Sequence, residues 1–182
     1  MRIGFSGAQS VGKTTLLNAV RSEPIFKYFT ICNEVTRRVK SYGLPINEDG
    51  NDTTQRLIMQ EHIVNVFMHH NMITDRTVLD GLVYSQYLYQ QGRINSNTMS
   101  FCTNVFEKVV NKYDLLFYIY PEFDVVDDGI RSVDKEFRND IVTLFEQTIE
   151  EKLLSVIVIR GTVRERVEQV LKFVKEKNEY TR

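Results

Sequence analysis

Gly7-Ala8-Gln9-Ser10-Val11-Gly12-Lys13-Thr14 is a full match to G-x-x-x-x-G-K-[ST]. That pattern works only between a strand and a helix. Its glycines let the backbone bend until successive N–H groups point at phosphate oxygens, and the following helix adds its positive end. The flanks comply: Arg2-Ile3-Gly4-Phe5-Ser6 reads as a short buried strand, and Thr14 to Val20 as the first turns of a helix. Gly7, Gln9, Ser10, Val11, Gly12, Lys13, Thr14 and Thr15 are therefore expected to cradle the phosphates of a nucleoside triphosphate, read here as ATP. Lys13 can reach the β- and γ-phosphates, and the Thr14 hydroxyl can ligate Mg²⁺. The bland alternative is a tight turn that a lysine happens to follow.

The 182 residues have room for one domain with a proper core, and we read 1–182 as a single domain. A formal net charge of −1 gives no global field for nucleic acid or a membrane surface, so neither is an expected partner. Cys32 and Cys102 are the only cysteines and lack metal-type spacing, which points to a reducing compartment. No apolar run approaches ~18 residues, and the chain enters a strand at once, so neither a span nor a signal peptide is expected. A cytoplasmic location follows, and a homodimer stays open.

Further strands are expected over Phe29–Cys32, Met72–Thr74, Leu115–Tyr120 and Val156–Ile159, the last two read as buried on both faces. Between them, helices are expected from Val35 to about Tyr42, and from Asp52 or Thr53 through His70. The latter would turn Leu57, Ile58, Ile63, Val64 and Phe67 inward. Others carry Leu79, Leu82, Val83, Tyr87 and Leu88, or run from a cap at Ser96 or Asn97 to about Asn111. The last two carry Phe137 to Ile149 and Val163 to Val174, with a charged tail fraying from Lys175. Strands alternating with helices make an α/β fold, a parallel sheet covered on both faces. Ligands in such sheets bind at the carboxyl ends of strands. Gly7 to Thr14, Glu34, Asp75-Arg76, the stretch from Pro121 and Gly161 all follow such ends and should converge.

The residue types there suit phosphoryl transfer. Asp75 can hold Mg²⁺ or take a proton from an acceptor hydroxyl, or else cap a helix. Glu34 can serve as base or sugar contact, or be a solvated helix-start acid. Arg76 can meet a substrate phosphate or simply pair with an acid, and Arg37 lies near the start of the next helix. The segment 121–138 reads as a short lid whose Arg131 and Arg138 can bring cations to the transferring group, or as an exposed loop. Arg160-Gly161-Thr162 can line an adenine pocket. Gln55 can read a base edge, or be a solvated helix glutamine. His62, His69 and His70 show no ligand pattern and are expected at the surface.

Together "GAQSVGKTT", "NEVTRR", "ITDRTVLDGLVY" and "DDGIRSVDKEFR" resemble the nicotinamide-riboside-kinase-like branch of P-loop proteins, an AAA-type ATPase domain close to thymidylate and deoxynucleoside kinases. The resemblance spans nearly the whole chain. It implies a three-layer fold with five parallel strands in the order 2-3-1-4-5. It also implies transfer of the γ-phosphate of MgATP to a nucleoside-like hydroxyl or a nucleotide phosphate. By it, Ser10, Lys13 and Thr14 would hold ATP and Mg²⁺, Asp75 would be the metal-side or base carboxylate, and Glu34 an acceptor contact. Arg131 and Arg138 would belong to the lid. "NEVTRR" lacks the proline of the deoxynucleoside kinase E-P pattern, which leaves open whether Glu34 or Asp75 is the base. No basic cluster marks a monophosphate site, which favours a nucleoside over a nucleotide acceptor.

The competing reading is a hydrolysing switch or ATPase that acts on a protein partner. It calls for hydrolysis without an acceptor and, for guanine, an N-K-x-D stretch, which we expect to be missing.

Overall fold

The computed structural model describes residues 1–122 and 135–180. In chain order the elements are β1 (Arg2–Ser6), α1 (Lys13–Val20), β2 (Thr30–Cys32), α2 (Val35–Ser41), α3 (Asp52–Met68) and β3 (Met72–Asp75). They continue with α4 (Val78–Gln90), α5 (Ser96–Val109), β4 (Leu115–Ile119), α6 (Lys135–Glu151), β5 (Ile157–Ile159) and α7 (Val163–Tyr180). The five strands form one sheet in the order β2-β3-β1-β4-β5, and every pair is parallel. The expected order holds.

Register is what positions the site. Phe5 pairs with Asp75 across β1 and β3, so Asp75 ends its strand beside the start of the glycine-rich loop. Cys32 pairs with Thr74 across β2 and β3. Two residues on, Glu34 and Arg76 therefore leave the sheet side by side.

Successive strand residues point to opposite faces, and β4 shows both faces covered. Phe117 meets Phe5 and Phe173 of α7, whereas its neighbour Tyr118 meets Phe145 of α6. Both strands that flank the middle of the sheet are buried throughout, as their apolar runs require.

Several boundaries shift. Asn51 and Asn95 cap α3 and α5, each side chain accepting the N–H three residues on. They displace the expected caps because an asparagine one residue earlier reaches the free donor. β5 is an edge strand whose Val158 is 45% exposed, so it is not buried on both faces. The charged tail from Lys175 continues α7 to Tyr180 instead of fraying. The largest correction concerns α3. It turns Thr54, Gln55, Ile58, Met59, His62 and Val66 inward and leaves Val64, Phe67 and Met68 exposed. Among the described residues, no helix is long and apolar enough to cross a membrane.

One packing constraint is testable. A Cβ on Gly4 would lie 2.4 Å from Cγ2 of Thr77, the buried cap of α4, and 3.1 Å from the Tyr113 ring. Gly4→Ala should overpack this contact and lower the unfolding free energy by about 1–3 kcal/mol, read as a lower denaturant midpoint.

Candidate active site

The loop after β1 takes backbone angles that its glycines allow. Gly7 has φ 147° and Gly12 φ 90°, and a Cβ on Gly7 would lie 2.9 Å from the Ile119 carbonyl oxygen. Ser10 also sits at φ 60°, unusual for a residue with a side chain. Lys13 opens α1 and folds back over the loop, its Nζ donating to the carbonyls of Gly7 and Ala8 at 2.6 Å each. Burial, helped by Arg76, lowers its pKa to about 8, although Asp80, Asp75 and Glu34 pull the other way. Direct contacts set these groups around the loop: Asp80 accepts from Gly7 N, Asp75 from the Thr14 hydroxyl, and Glu34 from Arg76. Thr15 faces solvent, while Gln9 and Val11 are buried.

The Thr14 hydroxyl donates to Asp75 Oδ2 at 2.5 Å, and Asp75 Oδ1 is buried without a partner. Burial and the nearby Glu34 carboxylate push Asp75 up, against the pull of Lys13, Thr14 and Arg76. Asp75 does not cap α4; Thr77 does, in a capping box with Asp80.

Arg76 leaves β3 at φ 75° and is 4% exposed. Its Nε donates to Glu34 Oε1 at 2.7 Å, its Nη1 lies 3.8 Å from Asp80, and its guanidinium stands 4.8 Å over the Tyr84 ring. Glu34 also accepts from Arg37 Nε at 3.0 Å. Burial would raise Glu34, but Arg76, then Lys13 and Arg37, hold its carboxyl at about 2. Glu34 is therefore buried and paired, not a solvated helix-start acid. Arg76 is an ion-pair partner first.

Beside Arg76 lies a cavity of about 300 Å³, mouth included, lined by Thr36, Gln55, His62, Gly81 and Tyr84 among others. Its walls stand close, leaving a water-sized sphere about 10 Å³ to move in. Gln55 is inside the protein and meets Ser85 Oγ at 3.1 Å; it is not solvated. His62 is likewise buried, against expectation, because α3 turns its polar stripe toward α4.

Arg131 lies outside the described residues, as do residues 123–134 of the expected lid. Its last residues, 135–138, open α6. Arg138 nonetheless reaches the loop, donating to the Gln9 carbonyl at 3.4 Å. Gly161, at φ 93°, donates its N–H to Glu122, and Arg160 stacks on Tyr120 at 3.3 Å.

Two residues escape sequence reading. Asp80 accepts from Thr77 N and from Gly7 N, tying α4 to the loop. The [ST]-x-x-[DE] spacing of Thr77 and Asp80 is the signal that finds it. Arg166 of α7 carries no such signal. It is 2% exposed, and donates to the carbonyls of Val11 (2.6 Å), Gly161 (2.8 Å) and Tyr120 (3.3 Å) and to Glu122 (3.0 Å). It fastens the phosphate loop to the turn after β5.

An N-K-x-D stretch is present after all: Asn111-Lys112-Tyr113-Asp114 spells it. It stands before β4, where Asp114 accepts from Arg2 N at the start of β1. A five-residue strand, roughly 16 Å, separates it from the loop, so it cannot read a base bound there.

A family model described as AAA domain matches residues 2–166. No curated protein sequence matches. Among solved structures, the chain resembles a deoxyadenosine kinase from M. mycoides with dCMP and a flexible dCDP bound. The TM-score is 0.71 at 15% identity, covering 97% of this chain and 99% of that one. NadR in complex with NR matches with TM-score 0.72 and 17% identity over 96% of this chain, which spans half of NadR. Thymidylate kinase from Candida albicans matches with TM-score 0.62 and 12% identity, covering 97% and 91%. At these identities the likeness is one of fold.

Three outcomes are expected. Arg166→Leu strands three carbonyls and an acid, and should cost at least about 2 kcal/mol in denaturant unfolding. Lys13, depressed to about 8, sheds its proton in the native state while the unfolded chain keeps it up to 10.5. Stability attributable to Lys13 should therefore rise as pH climbs from 8 to 10.5. At pH 9, a bound triphosphate should restore that proton. Calorimetry in buffers of different ionisation enthalpy should show proton uptake in the native chain and less in Lys13→Met.

Proposed function

From a chain that belongs to the AAA domain family, residues 2–166 matching its model, we propose a MgATP-dependent phosphotransferase. It acts, as a single domain, on a hydroxyl of a nucleoside-like small molecule. The observation that carries this reading is convergence. Lys13 and the Thr14–Asp75 contact lie at the phosphate loop, the Glu34–Arg76 pair leaves the neighbouring strand ends, and a narrow cavity opens beside Arg76. A phosphate cradle with a second cavity beside it suits transfer between two small molecules better than a switch. The fold neighbours support it, being solved with dCMP and dCDP or with NR.

In this reading the N–H groups of Gly7 to Thr14 and the Lys13 ammonium bind and orient the β- and γ-phosphates. Lys13 exchanges its two carbonyl acceptors for phosphate oxygens. The Thr14 hydroxyl and Asp75, with its unpaired buried oxygen, form an oxygen-only pair that fits Mg²⁺. When bound, Mg²⁺ neutralises charge on the β- and γ-oxygens. Arg138, on α6 beside Gln9, is placed to add positive charge. Gly161 and Arg160 line the base side, held to the loop by Arg166.

Glu34, ionised throughout, orients the attacking hydroxyl by accepting its hydrogen bond. The loose transition state of phosphoryl transfer asks little basicity of it. Asp75 is the stronger proton acceptor, since burial raises it. A monophosphate acceptor fits less well, because Arg76 and Arg37 already donate to Glu34.

Incubation with ATP, Mg²⁺ and a panel of nucleosides and nucleoside monophosphates tests the proposal. A nucleoside should be phosphorylated, and Lys13→Ala and Asp75→Asn should each lower kcat/KM by roughly 10²–10⁴-fold. ATP hydrolysis with no phosphorylated acceptor would support the switch instead.

A further inference from the structure

α3 breaks the ordinary rule for a helix lying on a core. Val64, Phe67 and Met68 face outward at 52%, 56% and 71% exposure, while Gln55 and His62 are buried at 1%. Those two stand two turns apart on one face, and that face lines the cavity beside Arg76. Local rules broken without a packing gain mark functional positions.

His62 is the sharper anomaly. Neither Nδ1 nor Nε2 has a hydrogen-bond partner in the protein, although both are buried. Burying a polar group unpaired is unfavourable, and a leucine at this position would avoid it. The ring is also held in place. A Cβ on Gly81 would lie 3.7 Å from His62 Cδ2 and 2.3 Å from Met59 Sδ, so α4 approaches α3 closely there because residue 81 has no side chain. Burial, then the Arg76 charge, lowers the His62 pKa to about 3. At working pH it is a neutral imidazole with one N–H donor and one lone pair.

A neutral imidazole gives an anion no charge, and Arg76, the cation that lines the same cavity, is committed to Glu34. Its complement is an uncharged planar group that offers a donor and an acceptor along an edge. We propose that His62 is a specificity-determining residue that reads the acceptor through such an amide-type edge, on a nucleobase or ring carboxamide. The inference rests on the phosphotransferase reading above. Gln55 lies on the same wall, and the attacking hydroxyl lies toward Glu34 and Lys13. Because the cavity is narrow, a heterocycle can enter it only if α3 and α4 part.

The test compares the native chain with His62→Gln and His62→Leu. It uses nucleosides that carry an amide-type edge, both nucleobase and pyridine-carboxamide ribosides, and a phenyl riboside that lacks one. Acceptor KM, ATP KM and melting temperature are read for each. His62→Leu should raise acceptor KM by about 10–100-fold, the loss of one or two buried hydrogen bonds. It should leave ATP KM unchanged and melt no lower than the native chain, having removed an unpaired group. His62→Gln, which keeps a donor and an acceptor, should retain more of the affinity, and the phenyl riboside should be indifferent to all three chains.

An acceptor KM that moves less than twofold in His62→Leu overturns the inference while leaving the phosphotransferase reading intact. A lower melting temperature in both variants with ATP KM raised in parallel assigns His62 a purely structural role and overturns it too. If the native chain phosphorylates no acceptor, the phosphotransferase reading fails first, and this inference fails with it. Whichever edge-bearing riboside has the lowest KM identifies the source of the edge.

Discussion

The Arg76 guanidinium is the point through which the sheet and the cleft are joined. A buried cation is tolerated only when paired and hydrogen-bonded, and its partners come from separate parts of the chain. Glu34 arrives from the end of β2 and Asp80 from the first turn of α4. Asp80 in turn holds the Gly7 N–H. The run Glu34–Arg76–Asp80–Gly7 therefore ties two strand ends, a helix cap and the phosphate loop into one unit. Removing Arg76 would leave Asp80 without its ion-pair partner in the interior and Glu34 with Arg37 alone. Arg76 adopts a left-handed backbone conformation there, and the pairing accounts for why that conformation persists.

On the other side of the loop a second buried arginine does comparable work by different means. Arg166 donates mainly to main-chain carbonyls, so it fixes backbone more than charge. Its planar fork suits several acceptors at once. Together the two arginines hold the glycine-rich loop from both flanks. Such a loop gains rigidity from neighbours, because its own glycines give it none. Electrostatics within the cleft follow from this crowding. Burial lowers Lys13 and raises Asp75, whereas Glu34, which burial alone would raise, is lowered by Arg76 and then Lys13.

Much of this was legible beforehand, for reasons that are local. Strand-to-helix alternation, the buried runs at Met72 and Leu115, and the cradle at Gly7 to Thr14 depend on neighbours within a few residues. Asp75 and Glu34 were legible because parallel sheets bring strand ends to one edge. The inward stripe of α3 was not. Helical spacing alone places Val64 and Phe67 inside, and only the approach of α4 at Gly81 selects the face that carries Gln55 and His62. Asn111-Lys112-Tyr113-Asp114 shows the converse. Its letters fit a base reader, but its position at the amino end of β4 removes it from the cleft.

By itself, the sequence determined a nucleotide cradle, a parallel α/β fold and the edge of the sheet at which function gathers. These follow from backbone geometry and period, which act over one turn or one strand. Tertiary structure decided which charges meet. Arg76 with Glu34 across 42 residues, and Arg166 with Val11 across 155, are pairings that no local rule contains. They arise because a buried cation must find acceptors wherever packing supplies them, and packing is a property of the whole chain.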